Sequence, residues 1–327
     1  MQISFAEAVN LRGKKQRVVY KVGDGSIIKL FDRTPIPTKP TDVVCPHFLE
    51  LKWANGCFFD CAWCYLNGTY RFHPNWKNGE PNIKEFGKIE SHLSLLLSND
   101  GFRPEILNAG ELSDSLIAER REGKNPPFSS LITRTLSDYD PKGKHKVLFL
   151  TKSTNVRNLL RLGKEGSRRI IMSFTLNADL VAKKWEKKAP SVSSRIRAAR
   201  MLEDAGYRIR IRIDPIVPID SSEEYYGKLV DEIFKNFRPE RITLGSLRGL
   251  NTTITNARDK SWIGYLTEKS NWGRKVDFNS RHHNYAFLIK RLRKEYGFKD
   301  VALCKETVEM WERLSLDYTK IKCNCVS

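Results

Sequence analysis

A chain of 327 residues with 40% hydrophobic and 29% charged residues has an ordinary globular composition, which excludes an intrinsically disordered protein. It is long enough for one large α/β domain or two small ones, and no apolar run approaches the ~20 residues needed to cross a bilayer. The net charge of +19 favours polyanionic partners, nucleic acid first, without choosing between DNA and RNA.

The N-terminal stretch MQISFAEAVNLRGKKQ lacks the apolar core of a signal peptide. We therefore expect a cytoplasmic protein with no membrane contact. A generally basic proteome is the alternative explanation of the charge.

Short apolar runs alternate with amphipathic segments from Phe48 onward. Six strand candidates are His47–Trp53, Glu105–Ala109, Lys146–Thr151, Arg169–Thr175, Tyr207–Ile213 and Arg241–Leu244. Helix-like stretches lie between them at 83–98, 127–137, 155–163, 191–205 and 222–236. This alternation predicts an α/β fold of parallel strands with crossover helices. Because six units are too few for a closed eight-fold barrel, we expect an open, partial barrel with its ligand site at the carboxyl ends of the strands.

Three segments of different character divide the chain. Residues 1–45 contain FDRTPIPTKPTDVVC and little periodicity, which predicts a basic N-terminal arm laid over the main domain. Residues 46–250 form the predicted partial barrel. Residues 251–327 are expected to form a C-terminal extension with a helix near 284–295 and the remaining cysteines.

Three of the seven cysteines lie within eight residues, in GCFFDCAWCYL. Cys57, Cys61 and Cys64 follow the first predicted strand, in a loop short enough to place three thiolates around one face of a metal cluster. Disulfides are rare in a reducing cytosol, and a structural zinc ion takes four protein ligands. Three cysteines on a [4Fe–4S] cluster leave one iron open, and an open coordination position favours chemistry.

This CxxxCxxC spacing, with Trp63 before the third cysteine, resembles that of the radical S-adenosylmethionine (SAM) superfamily. The resemblance implies a partial (β/α)6 barrel, with a [4Fe–4S] cluster on Cys57, Cys61 and Cys64 whose open iron binds SAM. It also implies that one electron from the cluster cleaves SAM to a 5′-deoxyadenosyl radical, which abstracts hydrogen from a substrate. An electron donor such as flavodoxin or ferredoxin would supply that electron.

Further short motifs are similar, in the same order, to those of spore photoproduct lyase and its relatives. They cover residues 45–250 and read CYLNGTY, LNAGELSDSL, FLTKSTNV, IMSFTLNADL, AARMLEDAGYRIRIRIDPIVP and ITLGSLRG. This resemblance implies a SAM site in which Tyr65 lies near the adenine. Ser113, Lys152 and Ser173 are expected to reach the polar groups of SAM, with the lysine ammonium suited to a carboxylate.

The chain departs from the lyase pattern at one position. In the lyase, a cysteine that returns hydrogen to the product radical stands three residues before an aspartate of the motif. Here Glu111 stands three residues before Asp114. A carboxylate does not donate a hydrogen atom as a thiol does, so we expect a lyase-like scaffold with a different reaction. Gly110 and Glu111 are instead expected to bind the SAM ammonium, as a GE motif does elsewhere in the superfamily.

The remaining thiols cluster towards the C-terminal side of the sequence. Cys304, Cys323 and Cys325, in VALCKETVEMW and KCNCVS, predict a second iron–sulfur cluster with an open iron. The alternative is a buried Cys304 and a frayed tail. Cys45 is either a fourth ligand or a core residue, and the core is favoured.

The segment YRIRIRIDP alternates isoleucine with charge. Period two places the isoleucines on one face and the charged side chains on the other, namely Arg208, Arg210, Arg212 and Asp214. Parallel strands are usually apolar on both faces, so the charged row is expected to face the barrel interior. There Arg210 and Arg212 would contact SAM or a substrate phosphate, and Asp214 would pair with Arg212. The resemblance to the lyase implies that Asp214 lies close to SAM. An internal salt-bridge network accounts equally well for the row.

Three functions follow from these patterns. The leading hypothesis is a radical SAM enzyme that modifies or repairs a nucleic-acid base. One alternative is a radical SAM enzyme acting on a protein, peptide or small metabolite, and another is a non-catalytic, zinc-stabilised nucleic-acid-binding protein. Aromatic residues among the basic segments either stack bases or belong to the core: Trp185, Trp262, Tyr265 and Trp272.

Overall fold

A computed structural model describes residues 1–73, 80–120 and 125–327. Its centre is a ten-stranded sheet in which each strand lies beside the preceding one in the chain. The strands are β1 Ile3–Val9, β2 Lys15–Val22, β3 Ile28–Phe31, β4 Phe48–Leu51, β5 Ile106–Asn108, β6 Lys146–Thr151, β7 Ile170–Leu176, β8 Arg208–Ile216, β9 Arg241–Ser246 and β10 Val301–Leu303. The first three pair antiparallel, and β4 to β10 run parallel.

Helices connect the parallel strands and cover the sheet. They are α1 Leu66–Thr69, α2 Phe86–Leu97, α3 Phe128–Tyr139, α4 Arg157–Arg169, α5 Asp179–Trp185, α6 Val192–Asp204, α7 Ser222–Asn236, α8 Asn251–Asn256, α9 Phe278–Tyr296 and α10 Val308–Arg313. The six predicted strands correspond to β4 to β9, which confirms the α/β alternation. Every residue of β7 is buried, as expected for a parallel strand packed on both faces.

Helix α9 begins six residues before the predicted stretch because of its caps. The Asp277 carboxylate accepts a hydrogen bond from the Ser280 backbone N–H at 2.9 Å, which starts the helix early. Gly297, with φ of 57°, ends it in the left-handed conformation.

The segment expected to form an N-terminal arm is largely part of the sheet. β1 pairs with β2, β2 with β3, and β3 with β4. Residues 3–31 therefore add three antiparallel strands to one edge of the parallel sheet. Val18, Val19 and Val22 of β2 are buried. The arm prediction is therefore corrected: the pairing partner of β3 lies across a long connection, and local periodicity does not reveal such a partner.

The segment after residue 250 also contributes to the sheet. Strand β10 pairs parallel with β9, which adds a seventh parallel strand to the six predicted. β1 and β10 form the two edges and do not pair with each other, so the sheet of the described residues is open, as predicted. A search of the same residues finds no helix with the length and apolarity of a membrane span.

Candidate active site

A cavity of about 360 Å³ lies at the carboxyl ends of the parallel strands. This volume is within the roughly 300–1,000 Å³ of small-molecule pockets. Six of the seven cysteines line it, in two groups: Cys57, Cys61 and Cys64 from the loop after β4, and Cys45, Cys304 and Cys325 from elsewhere in the chain. The location agrees with the ligand site predicted from the strand alternation.

The cysteine loop is held by backbone hydrogen bonds. Gly56, with φ of 93°, turns the chain after β4, and its N–H donates to the Leu112 carbonyl at 2.9 Å. Residues Asp60 and Cys61 pair antiparallel with Glu186 and Lys187. This short ladder fixes the middle of the loop against the segment after α5.

Burial changes the acidity of these thiols. It raises the pKa of Cys61 to about 12, and it also raises the pKa of Cys57 and of Cys64. Thiolates in this loop therefore require a strong positive partner, which a metal cluster supplies.

The described residues contain no group of three His, Cys, Asp or Glu side chains placed to hold a single metal ion. A four-coordinate zinc site draws its ligands to one point, whereas three cysteines around a cluster surround a larger body. The shared cavity of Cys57, Cys61 and Cys64 fits the second arrangement.

The predicted SAM residues of the first motifs lie at this cavity. Tyr65, Gly110, Glu111 and Ser113 all line it. The Tyr65 hydroxyl donates to the Glu111 carbonyl, and the Ser113 hydroxyl donates to the Gly56 carbonyl at 2.6 Å. Ser113 therefore joins the cysteine loop to the GE motif.

Lys152 also lines the cavity, directly after β6. Its Nζ lies 3.7 Å from Glu186 Oε1, and Glu186 in turn accepts a hydrogen bond from Arg195 at 2.6 Å. Burial opposes the charged ammonium, but Glu186, Cys61 and Cys64 together outweigh it and the pKa of Lys152 is raised. The site thus keeps a protonated ammonium close to the cysteine loop.

Asp114 also lines the cavity, although the motifs predicted no role of its own for it. Its carboxylate accepts hydrogen bonds from the Thr151 hydroxyl at 2.8 Å and the Lys152 backbone N–H at 2.7 Å. Burial raises its pKa. Asp114 therefore links the segment Ser113–Ser115 to the end of β6. These contacts suit a residue that positions the cavity wall.

The charged row of β8 reaches the cavity at its carboxyl end. Arg212 and Asp214 line the cavity, as predicted. Asp214 pairs with Arg248, which donates to it at 3.0 and 2.9 Å, instead of forming the expected pair with Arg212. Burial favours the neutral acid, but the charge and hydrogen bonds of Arg248, together with the charges of Arg212 and Lys152, outweigh it and lower the pKa of Asp214. Arg248 was missed, although it stands two residues after β9.

Arg210 and Ser173 lie outside the cavity lining, and their predicted contacts with SAM or substrate are corrected here. Both are fully buried. Arg210 donates to Glu240 at 2.8 Å and to the Asn324 carbonyl at 2.7 Å, and Ser173 Oγ accepts from Asn324 Nδ2 at 2.8 Å. The internal network considered as the alternative is thus present, and it holds the segment around Asn324.

The second group of thiols differs from the predicted set. Cys304 and Cys325 line the cavity, Cys323 does not, and Cys45 takes its place. Arg248 Nη2 donates to Cys304 Sγ at 3.5 Å, and Cys45 Sγ donates to the Pro46 carbonyl at 3.6 Å. Cys45, predicted as a core residue, is only half-buried.

The aromatic residues considered for base stacking separate into two kinds. Trp185 and Trp262 are buried in the core. Trp272 lines the cavity, with Lys305 Nζ 3.9 Å from its ring centroid. Of these four aromatic residues, Trp272 is therefore the one that lines the cavity.

Comparison with known proteins supports this description. The sequence model of the family Spore photoproduct lyase matches residues 129–247. Spore photoproduct lyase of Bacillus subtilis is 25% identical over 183 residues, which cover 56% of this chain and 50% of that protein. The enzyme of that name from Clostridium acetobutylicum is 22% identical over 188 residues, covering 55% and 50%. The chain spans about half the length of these curated relatives.

Solved structures of spore photoproduct lyase share the fold. One, complexed with dinucleoside spore photoproduct, has a TM-score of 0.59 and 15% identity, covering 78% of this chain and 75% of that one. A double mutant with bound AdoMet and dinucleoside spore photoproduct has a TM-score of 0.58 and 16% identity, covering 79% and 76%. In fold and in its cysteine motif the chain is similar to proteins of the radical SAM type. More particularly, the chain is spore photoproduct lyase-like, which confirms the resemblance predicted from its motifs.

Proposed function

We propose that this protein is a radical SAM enzyme that acts on a nucleic-acid base. The observation that supports the first part is one cavity, lined by the three cysteines of the CxxxCxxC loop together with Glu111 and Lys152. When bound, a [4Fe–4S] cluster and SAM supply a one-electron cleavage that yields a carbon radical able to take hydrogen from a substrate.

The chain's own residues have distinct proposed roles at that cavity. Cys57, Cys61 and Cys64 hold the cluster. Glu111 accepts a hydrogen bond from Asn108 Nδ2 at 2.9 Å, which orients its carboxylate as an acceptor for the SAM ammonium. Lys152 suits the SAM carboxylate.

We propose a single cluster and leave the second group of thiols free of iron. Cys304 and Cys325 each accept a hydrogen bond from a guanidinium group, that of Arg248 and that of Arg212. These two sulfur atoms are thus already hydrogen-bonded within the protein. Cys323, the third predicted ligand, lies outside the cavity lining.

The proposed nucleic-acid substrate rests on charge and on similarity. The chain carries a net charge of +19, and among the cavity residues are Arg33, Arg212, Arg248 and Lys305. These cations suit the phosphate groups of a nucleic acid, and Trp272 places an aromatic ring in the same cavity. A solved relative is complexed with dinucleoside spore photoproduct, which makes that compound the first substrate to try.

We further propose that the reducing electron arrives from a flavodoxin or ferredoxin on the outer side of the cysteine loop. A small groove there is lined by all three cysteines and by Lys188 and Arg258. An acidic electron carrier would meet complementary charge at this position.

The experiment is anaerobic reconstitution with iron and sulfide, followed by reaction with SAM and dithionite. We expect about four irons per chain and formation of 5′-deoxyadenosine. A colourless protein that retains only zinc, or one that loads iron without cleaving SAM, would contradict the proposed chemistry.

The substrate class is tested separately by binding. Affinity for a short DNA or RNA duplex should fall steeply as salt rises, because phosphate contacts release counterions. Weak binding that is indifferent to salt would favour the protein, peptide or metabolite alternative.

A further inference from the structure

Residues 323–326 lie against the interior of the sheet. Asn324 is fully buried. Its Nδ2 donates to Ser173 of β7, its Oδ1 accepts from Thr243 of β9 at 2.8 Å, and its carbonyl accepts from Arg210 of β8. Hydrogen bonds with side chains of three parallel strands therefore fix residues 323–326, which we call the tail.

The tail places one thiol in the cavity. Cys325 lines the cavity, and Cys323, two residues earlier, does not. Arg212 Nη2 donates to Cys325 Sγ at 3.1 Å, and Asn108 Nδ2 donates to the same sulfur at 3.4 Å. Asn108 Nδ2 also donates to Glu111 Oε1 at 2.9 Å. The Asn108 amide thus donates to both groups, so the Cys325 thiol and the Glu111 carboxylate lie next to each other.

The other two thiols of this group are placed differently. The hydrogen of Cys45 is directed at the Pro46 carbonyl. Cys304 lies beside Arg248, whose guanidinium is bound to Asp214. Cys325 is the thiol adjacent to Glu111 and Arg212, where the cavity is lined by the residues proposed to bind SAM.

We propose that Cys325 is the hydrogen-atom donor that quenches carbon radicals formed in this cavity. The proposal rests on the proposed radical SAM function. The S–H bond is weaker than the C–H bonds of sugars and bases, so hydrogen transfer from a thiol to a carbon radical is downhill. Neither the Glu111 carboxyl group nor a serine hydroxyl offers so weak a bond.

The step balances as follows. The S–H bond of Cys325 breaks, a C–H bond forms on the product, and the unpaired electron passes from carbon to sulfur. One electron from the flavodoxin or ferredoxin class of donor and one proton from solvent then restore the thiol. The tail thereby supplies the thiol that the motif around Glu111 lacks.

The test uses exchange of the thiol hydrogen with solvent. Reconstituted protein reacts in D2O with SAM, dithionite and dinucleoside spore photoproduct, below pH 7, because the pKa of Cys325 is lowered to about 7, chiefly by a hydrogen bond from Cys323. Deuterium is then measured by mass spectrometry in the product and in 5′-deoxyadenosine. The Cys325→Ser variant keeps a hydrogen-bonding side chain, and Cys323→Ser is the matched control.

We expect deuterium in the wild type and in Cys323→Ser, and a fall to the protein-free background in Cys325→Ser. When no lesion is turned over, we expect the 5′-deoxyadenosyl radical to take deuterium from Cys325, so that 5′-deoxyadenosine carries the label and the test applies without a substrate. Equal labelling in all three proteins would overturn the role of Cys325 while the SAM chemistry stands. Absence of 5′-deoxyadenosine from every protein would overturn both proposals.

A second readout does not depend on catalysis. The full chain is treated with iodoacetamide before and after reconstitution, and alkylation is followed on the Cys323 and Cys325 peptides. We expect Cys325 to react faster than Cys323 in both samples, because it faces the cavity beside a guanidinium group. Slower reaction of Cys325 than of Cys323, or its full protection after iron loading, would contradict a free cavity thiol.

Discussion

Two groups of thiols face the same cavity, and they are held by different kinds of structure. Cys57, Cys61 and Cys64 belong to one short loop whose backbone hydrogen bonds reach the neighbouring segments. Cys304 and Cys325 are brought to the cavity by the far end of the sheet and by the tail, and each accepts a hydrogen bond from an arginine. The first group suits a metal cluster because its three thiols stand within eight residues of one short loop. In the second group, Cys325 stands beside Glu111 in the cavity, where a thiol can act on a bound substrate.

The largest effect is expected at the cysteine loop. Cys61→Ala removes one of three cluster ligands, so iron content and 5′-deoxyadenosine formation should both fall to background. Cys323→Ala, which changes a thiol outside the cavity, should retain both. Iron analysis and chromatography of the nucleoside give the two measurements. Iron loss in Cys323→Ala equal to that in Cys61→Ala would erase the distinction between the two groups.

The next effect concerns the arginine beside Cys304. Arg248→Ala leaves the Asp214 carboxylate buried without its partner, which should lower the free energy of unfolding by about 3–5 kcal/mol. Denaturant unfolding of the single variant measures this loss. The double variant Arg248→Met/Asp214→Asn should recover part of it, since no uncompensated charge remains. A double variant as unstable as the single one would show that the pair is not the source of the effect.

A smaller effect is expected at the tail. Asn324→Ala removes buried hydrogen bonds to Ser173 and Thr243 and should lower the unfolding free energy by about 1–3 kcal/mol. The same change should speed alkylation of Cys325 and leave Cys61 unaffected. Lys322→Ala, at an exposed position of the same segment, is the matched control. If both variants alkylate at the wild-type rate, the tail is held by something other than Asn324.

The smallest effect is expected where the loop meets the GE motif. Ser113→Ala removes the hydrogen bond to the Gly56 carbonyl and should lower the unfolding free energy by about 0.5–1.5 kcal/mol. Iron should still load, because backbone contacts of the loop remain. Ser91→Ala, on the exposed face of α2, serves as the control for loss of a hydroxyl. A complete failure to bind iron would mean that Ser113 is essential to the loop.

The two groups also differ in how far the sequence predicts them. The spacing of Cys57, Cys61 and Cys64 is local, and it led directly to the cavity in which the structure places them. Cys45 and Cys325 meet only through tertiary structure, so their shared cavity is invisible in spacing. The CxC pattern led instead to Cys323, which the turn of the tail places outside the cavity lining.

The same limit applies to the fold. Strands β4 to β9 have strong local patterns, and their predicted bounds agree with the structure to within a few residues. β1 to β3 and β10 were missed: β1 and β2 pair locally but show little periodicity, whereas β3 and β10 pair with β4 and β9 across longer connections. A readable signal did exist for Arg248: like Lys152, it stands just after a parallel strand ends, where side chains meet the ligand site.

The charged side chains of strand β8 contact successive partners along the strand. Arg208 pairs with Glu240 at one end, Arg210 reaches the tail, Arg212 reaches the Cys325 sulfur, and Asp214 reaches Arg248. Since alternate residues face opposite sides, the insertion or deletion of one residue would turn the isoleucines inward and drive the guanidinium groups into the apolar layer. An insertion or deletion in this strand therefore keeps the isoleucines on their face only if it comprises two residues. Even then, each charged side chain would meet a different partner.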